Sequence, residues 1–166
     1  EVDGVLGPAV VRMDPGRSMG YFVYSQDKLD IEGKSNFSTC CANTALTKGK
    51  WMYEVLLLSR GIMQLGWTTP SSFANFTTQE GVGDTENSFA FDGKRIKKWN
   101  KGAIDYGEEW NVGDVIGCCI DLDVGEVSYY RNGVSLGIAF SNVKTGTNYA
   151  YFPAVSLSFE EHIRIC

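Results

Sequence analysis

Histidine is nearly absent from this sequence of 166 residues, which contains only His162. Proton transfer near neutral pH most often uses histidine, and no serine has the G-x-S-x-G surroundings of a hydrolase nucleophile. A dyad of Cys118 and His162 is conceivable, but Cys118 lies in the apolar run "VIGCCI", where thiols stay inert. We therefore expect that this chain is not an enzyme and that it has no catalytic residues.

Positive charge is also scarce, because 15 lysines and arginines stand against 20 acidic residues and leave a net charge of −5. Nucleic-acid binding is built from clustered cations, and adhesion to an anionic membrane surface has the same requirement. No apolar run approaches the roughly 20 residues that are needed to span a bilayer. We expect neither a nucleic-acid partner nor a membrane partner.

The cysteines lack the C-x-x-C spacing that is typical of zinc sites. There are five of them, and two pairs are adjacent in sequence: Cys40, Cys41, Cys118, Cys119 and Cys166. Neighbouring residues on a strand point to opposite faces, so the two members of a pair cannot easily share one partner. We expect buried free thiols in a reducing compartment, which implies a cytoplasmic protein.

Two short motifs resemble ligand sites only in part. The run "DLDVGE", from Asp121 to Glu126, lacks the third oxygen ligand and the final bidentate glutamate of a calcium loop. Gly81-Val-Gly83 precedes no helix and has no lysine where a phosphate-binding loop needs one. We expect a hairpin turn at the first motif and a flexible loop at the second, with no metal and no cofactor.

Glycine is abundant, with 19 residues, whereas proline is scarce, with 4. Short strands recur at a spacing of roughly 8–12 residues with turn signals between them, and no segment shows a helical stripe. This pattern is typical of an all-β sandwich of two antiparallel sheets. No linker or repeat interrupts it, so we expect one domain over residues 1–166. Because the sequence starts at Glu1 and not at methionine, we expect this domain to belong to a longer protein.

The clearest strand lies in "GKWMYEVLLLS". One face of this strand would carry Trp51, Tyr53, Val55 and Leu57. The alternate residues are also mostly apolar, which predicts a strand that is buried between two sheets. Another strand is predicted over residues 5–13, followed by a turn at "DPGRS".

A tight hairpin is predicted within "EVSYYRNGVSLGIAF", because Asn-Gly between alternating apolar residues suits a type I′ turn. Strand side chains alternate between faces. One face of the hairpin would therefore be lined by Val127, Tyr129, Val134 and Leu136. We expect this hairpin to hold the sandwich in register.

Two polar stretches are candidates for binding. The segment from Pro70 to Asn87 has no period of two or 3.6, so we predict a loop, and long loops in compact domains often bind partners. The one basic cluster in the sequence consists of Lys94, Arg95, Lys97 and Lys98. A solvated strand edge is the favoured interpretation of this cluster, and a patch for an acidic partner segment is the alternative.

Several strings resemble the SPRY domain in both order and spacing, from Lys48 to Ser158. They are "GKWMYEV", "LGWTT", "GVGDTENSFAFDGKRIKKWN", "YGEEWNVGDVIGCCIDLDVGEVSYYRNGVSLGIAF" and "YFPAVSLS". The runs "LGPAVV" and "GKSNFSTCCANTALTKGKWMYEV" extend the similarity to one group within that family. This group is the large RING ubiquitin ligases of the Kip-ubiquitylation-promoting complex and their plant relatives. The resemblance implies a sandwich of two antiparallel sheets.

The resemblance also implies a partner-binding surface, because SPRY domains that bind short peptides use loops at one end of the sandwich. The matching positions in this sequence are Thr69, Thr78, Gln79, Ser158, Phe159 and Glu160. Where the peptide-binding pattern has Tyr, Trp and Gly, this sequence has Thr78, Phe159 and Glu160. The bulk and charge of Glu160 argue against the Asn-rich peptide of that subgroup as the ligand.

The function that follows from the resemblance is recruitment to a RING-type E3 ubiquitin ligase whose RING lies outside this chain. The partner would be a protein or peptide segment of a ubiquitylation substrate or adaptor. The alternative is an architectural domain that packs within its own large parent protein, as SPRY domains do in very large intracellular channels. A large apolar surface patch would favour that alternative, and a polar cleft open to solvent would favour recruitment. We expect the isolated domain to be monomeric.

Overall fold

Short β-strands dominate the computed structural model, which describes residues 5–6, 10–77 and 79–166. The strands are β1 (Val5–Leu6), β2 (Met13–Met19), β3 (Phe22–Tyr24), β4 (Asp30–Gly33), β5 (Ser38–Ala42), β6 (Ala45–Leu46), β7 (Lys50–Leu57), β8 (Met63–Thr68), β9 (Ser88–Asp92), β10 (Lys97–Trp99), β11 (Ala103–Asp105), β12 (Val115–Asp121), β13 (Glu126–Arg131), β14 (Val134–Phe140), β15 (Phe152–Leu157) and β16 (His162–Ile165). A helix of five residues, α1 (Pro70–Ala74), follows β8.

Two antiparallel sheets of seven strands each face one another across the core. The first sheet has the order β11-β10-β9-β8-β15-β5-β2, and the second has the order β14-β13-β12-β7-β16-β4-β3. Trp67 and Phe91 of the first sheet pack in one core with Ile116 and Tyr129 of the second. Strands β1 and β6 form a separate pair. The predicted all-β sandwich is confirmed.

Strand β7 occupies the centre of the second sheet, but only one of its faces is covered. Val55 and Leu57 point into the core and are fully buried, whereas Met52 on the opposite face is 55% exposed. The prediction that this strand is buried between two sheets was therefore wrong. A two-layer sandwich covers only the inner face of each sheet, and folded proteins expose much apolar surface on their outer faces.

The predicted hairpin joins β13 to β14. Asn132 and Gly133 have φ angles of 51° and 80°, and the flanking residues Arg131 and Val134 pair across the turn. Positive φ at both central residues is what a type I′ turn requires. On the predicted inner face, Val127 and Tyr129 of β13 are fully buried. Val134 is exposed because it lies at the rim beside the turn.

A buried carboxylate, Asp114, fixes this hairpin to the neighbouring loop. Its Oδ2 accepts hydrogen bonds from Arg131 Nε and from the backbone N–H of Asn111, both at 2.7 Å. Its Oδ1 accepts from Asn132 Nδ2 at 3.0 Å. Burial alone would raise the pKa of Asp114, but these donors outweigh burial and hold the pKa below its usual value.

The variant Asp114→Asn is expected to lose about 1–2 kcal/mol of stability at pH 7, because the ionised acceptor of three hydrogen bonds is replaced by a neutral amide. A carboxylate whose pKa is lowered on folding stabilises the folded protein at pH values above its unfolded pKa of about 3.9. This contribution is lost as the pH falls through the folded pKa. Urea denaturation at pH 7 and pH 3 should therefore show a smaller difference in stability between variant and wild type at the lower pH. The exposed Glu109→Gln is the control. An equal difference at both pH values would contradict the assignment.

Two other sequence predictions need correction. "DPGRS" does not turn the chain toward a new partner strand, because Met13 and Ser18 both pair with β5 and the residues between them bulge out of the ladder. The bulge is closed by a hydrogen bond from the backbone N–H of Gly16 to Asp14 Oδ1 at 2.9 Å. The strand predicted over residues 5–13 was also too long. Residues 10–12 lie outside any strand, and residues 7–9 lie outside the described part of the chain.

Four of the five cysteines, all on β5 and β12, are buried as predicted, and Cys166 is exposed. Burial raises the pKa of Cys40 to about 11. It also raises the pKa of both Cys41 and Cys118 far above the ordinary value. The thiolate is the reactive form of cysteine, so these thiols should be inert in the folded protein.

We expect a disulfide reagent such as Ellman's reagent to titrate one thiol per native chain at pH 8 and all five in denaturant, because only Cys166 is exposed. The variant Cys166→Ser should show no fast-reacting thiol in the native state. A second fast-reacting thiol in native wild-type protein would contradict the burial of the two pairs of adjacent cysteines on β5 and β12.

Candidate functional site

Thr69 has a structural role at the start of α1. Its side chain is 3% exposed, and its Oγ1 accepts a hydrogen bond of 3.2 Å from the backbone N–H of Ser72. Thr69 is the N-cap of the helix, and Pro70 occupies the first helical position. Threonine before proline is a sequence signal for a helix start. The prediction of an unstructured loop over all of Pro70–Asn87 missed this short helix.

The positions inferred from the resemblance do not all lie at one end of the sandwich. Strands β8 and β15 are antiparallel, with Thr68 opposite Phe152 and Met63 opposite Leu157. Thr69 therefore follows one end of this pair, and the Ser158 turn follows the other. Six residues at about 3.3 Å each separate the two ends by roughly 17–20 Å. Thr78 lies outside the described residues.

The turn after β15 is held firmly by neighbouring backbone. Ser158 Oγ donates a hydrogen bond of 2.6 Å to the carbonyl of Ile62. The backbone N–H of Glu160 donates to the carbonyl of Gly33 at 2.8 Å, and the N–H of Gly33 donates to the carbonyl of Glu161 at 2.9 Å. These bonds occupy the polar groups of Ser158 and leave the side chain of Phe159 56% exposed.

Exposed side chains from the β3–β4 hairpin lie beside this turn. Lys34 Nζ is 4.0 Å from a carboxylate oxygen of Glu160 and 3.3 Å from one of Glu32. The backbone N–H of Lys34 donates to the carbonyl of Tyr21, whose side chain is 75% exposed. We call the group formed by Tyr21, Lys34, Phe159 and Glu160 the turn surface.

The long segment after α1 packs on the outer face of the first sheet. The backbone N–H of Val82 donates to Ser156 Oγ at 2.9 Å, and that of Gly83 donates to Ser88 Oγ at 2.7 Å. A side chain at Gly81 would collide with Ser156 Oγ, which would lie 2.4 Å from its Cβ. Because Ser156 is two residues before Ser158, Gly81 and Val82 lie toward the end that carries the turn surface, and Gln79, two residues before Gly81, is exposed.

A chain of hydrogen-bonded polar side chains connects this segment to the first sheet. Gln64 donates to the carbonyl of Val82 and accepts a hydrogen bond of 3.2 Å from Arg95 Nη2. Arg95 Nε pairs with the fully buried carboxylate of Asp92. Sequence reasoning missed this chain of hydrogen bonds, because it grouped Arg95 with solvated lysines. The buried aspartate directly before Gly93 was the available signal, since aspartate in a turn commonly accepts from the backbone that follows it.

None of these arrangements resembles a catalytic or metal centre. In the described residues, no three His, Cys, Asp or Glu side chains are placed to hold one metal ion. The described part of the chain also contains no helix of the length and apolarity needed to cross a membrane. What the turn surface offers is two exposed aromatic rings beside an ion pair. Such a surface suits non-covalent recognition, because aromatic side chains supply much of the binding energy at protein interfaces.

Comparison with known proteins gives a consistent set of matches. A family model described as "SPRY domain" matches residues 50–166. The chain is 48% identical over 161 residues to "E3 ubiquitin-protein ligase RKP" of Arabidopsis thaliana, and this match covers 96% of the chain and 12% of that protein. The chain is also 30% identical over 152 residues to "ATP-dependent RNA helicase DDX1" of Xenopus laevis, and this match covers 90% of the chain and 20% of the helicase.

A solved structure has the same fold. The SPRY domain of human HERC1 superposes with a TM-score of 0.77 at 16% identity, over 93% of this chain and 96% of the other. The chain therefore corresponds to nearly all of that isolated domain, but to only a small part of the length of the curated relatives that it matches.

Proposed function

This chain belongs to the SPRY family, and we propose that it recruits a protein segment to a RING-type ubiquitin ligase. The proposal rests on the identity with the plant ligase, which extends over nearly the whole chain. SPRY is a protein-interaction domain, so the described residues would contribute binding and not ubiquitin transfer. The partner segment would come from a ubiquitylation substrate or an adaptor.

The exposed ring of Phe159, on a turn that backbone hydrogen bonds hold in place, carries the assignment of the binding surface. An aromatic side chain on a fixed backbone has few torsions to immobilise when a partner covers it, and such residues are common hot spots. Tyr21 adds a second ring, and the Lys34–Glu160 pair supplies charges of both signs at the rim. Gln79 is a further candidate contact. Ser158 supports this surface through its bond to Ile62, whereas Thr69 lies at the opposite end of the β8–β15 pair.

We expect Phe159→Ala to weaken partner binding by about tenfold or more, because the change removes the central ring, and to leave the melting temperature unchanged. The matched control is Val124→Ala, which truncates another exposed apolar side chain in the turn between β12 and β13. Crosslinking and capture from cytosolic extract would be performed with wild type and both variants. Partners should be lost with Phe159→Ala and retained with Val124→Ala.

Equal capture by folded Phe159→Ala would move recognition to another face of the sandwich. An architectural role is then the second candidate, and the outer face of the second sheet favours it. Met52, Cys119 and Ser128 lie side by side there, and Met52 is largely exposed. If crosslinks from the neighbouring Lys50 reach only segments of the parent ligase, the domain packs inside that protein.

A further inference from the structure

A cleft of about 550 Å³ lies at the open edge of the sandwich, where β10 and β11 of the first sheet meet β14 of the second. Strands β11 and β14 are the edge strands of their sheets, so neither is covered by a further strand of the described chain. The lining includes Lys98, Ile104 and Ile138, together with asparagine and serine side chains. Asn100, Ser141 and Asn142 lie at the end of the cleft away from the turn surface.

Lys98 points between the two sheets and is half-buried at the cleft. It is paired with Phe91, a fully buried core residue, so its side chain lies on the inner face of β10. Its Nζ donates to the carbonyl of Ala139 on β14 and lies 5.4 Å from the ring centroid of Phe140. None of the ion pairs among the described residues includes Lys98, so its charge has no carboxylate partner there.

Two isoleucines at this edge are left uncovered. Ile104 pairs with Lys98 across β10 and β11, which places it on the same inward face, yet its side chain is 65% exposed. Ile138 on the opposite edge is 56% exposed. An inward-facing isoleucine that the second sheet fails to cover marks apolar surface that an additional segment would bury.

The edge of β14 is not open to simple strand addition. Two of its carbonyls, of Gly137 and Ala139, already accept hydrogen bonds from Tyr106 Oη and Lys98 Nζ. The strand also has two register shifts against β13, and Gly137 has a φ angle of 91°. These features block a regular β-ladder, so a ligand would bind in the cleft through its side chains.

We propose that this cleft binds an extended, acidic and partly apolar segment of another protein. A carboxylate of that segment accepts from Lys98, and a neighbouring apolar side chain packs between Ile104 and Ile138. Charge complementarity carries the choice of partner, because the lining contains a lysine and no acidic side chain in a chain of net charge −5. This surface is distinct from the turn surface.

A nucleic acid fits the cleft less well. Single-stranded nucleic acid is bound by several cations and by aromatic faces that are free to stack on bases. In the basic cluster, Lys97 is paired with Asp105 and Arg95 with Asp92, which leaves few free charges. The rings of Tyr106 and Phe140 are already faced by the ammonium of Lys98. A peptide carboxylate needs only that one ammonium.

The test is a display library of random peptides of about 12 residues, panned in parallel on the 166-residue wild-type chain and on Lys98→Met, which keeps an apolar stem. Wild type should select peptides that are enriched in aspartate and glutamate next to apolar residues, and Lys98→Met should not select them. For a selected peptide, Lys98→Met should weaken binding about tenfold and Ile104→Ala about threefold. The controls Lys94→Met and Phe159→Ala should have no effect.

Three outcomes would overturn the proposal. Selected peptides could lack acidic enrichment, Lys98→Met could bind them as wild type does, or a single-stranded oligouridine probe could bind more tightly than any peptide in a manner that depends on Lys98. If Lys98→Met melts at a lower temperature than wild type, the exposed positions Ile104→Ala and Ile138→Ala carry the test instead. Unchanged peptide affinity in both isoleucine variants would then reject the cleft.

Discussion

Replacement of Gly66 by alanine is expected to prevent the chain from folding. Gly66 lies in the middle of β8, between β9 and β15. A Cβ atom there would lie 1.8 Å from the carbonyl oxygen of Phe89 and 2.8 Å from Tyr129 Oη. The first of these atoms belongs to the backbone of a paired strand, so no rotamer change can relieve the clash. We expect a loss of more than about 4 kcal/mol, which is a large part of the stability of a domain of this size.

Circular dichroism and thermal denaturation of purified Gly66→Ala would measure this loss. The matched control is Gly102→Ala, because no atom lies within 4 Å of a Cβ built on Gly102. That variant should melt within a few degrees of wild type. A cooperative transition of Gly66→Ala near the wild-type temperature would show that the two strands can move apart, and it would contradict the close approach of Gly66 to Phe89.

The second large effect is expected for Asp92→Ala, with a loss of about 3 kcal/mol. The carboxylate is fully buried and accepts from the backbone N–H groups of Lys94 and Arg95 at 2.9 and 3.1 Å, besides its ion pair with the Arg95 side chain. Alanine would leave these part-buried donors without their acceptor. Because the Arg95 side chain is 40% exposed, water recovers part of the cost, which keeps the expected loss near the lower end of the range for buried pairs.

Urea denaturation would give the change in stability, and hydrogen exchange would locate it. Asp92→Asn keeps an oxygen acceptor for the backbone and should lose about half as much. The control Asp105→Ala removes an exposed carboxylate and should have little effect. Asp92→Ala should also speed exchange of the Val82 amide, because Arg95 and Gln64 connect Asp92 to the segment that contains Val82. If Asp92→Ala and Asp92→Asn match wild type in stability and in exchange of the Val82 amide, the Asp92 carboxylate does not anchor that segment.

Much of the sandwich could be predicted from the sequence, because alternation and turn residues act over a few positions. The Asn132-Gly133 hairpin depends only on the φ angles of two residues, and the structure has both angles positive. Likewise, the short strands in "SFAFDG" and "RIKKWN" are separated only by a turn and form a hairpin, in which Lys97 pairs with Asp92. The SPRY resemblance then identified the arrangement of the two sheets, which local patterns do not determine.

The sites were less predictable, because they depend on which face and which end of a strand a residue occupies. Four neighbouring basic residues gave no sign that Arg95 bonds a buried aspartate or that Lys98 enters the gap between the sheets. Ile96, which separates them from one another, has a φ angle of 58° and interrupts the alternation at that point. Similarly, Thr69 and Ser158 both flank strands of the first sheet, and only the antiparallel register of β8 and β15 shows that they lie at opposite ends.

The long segment on the first sheet is held mainly through its backbone. The N–H groups of Gly81, Val82 and Gly83 and the carbonyl of Val82 make the anchoring bonds, to side chains that lie elsewhere on the sheet or later in the segment. A segment attached in this way places little demand on the identity of its own exposed side chains. The exposed positions Asn75, Thr77 and Gln79 can therefore change while these bonds stay in place, so the surface that this segment presents can diverge in evolution without a matching change in the fold.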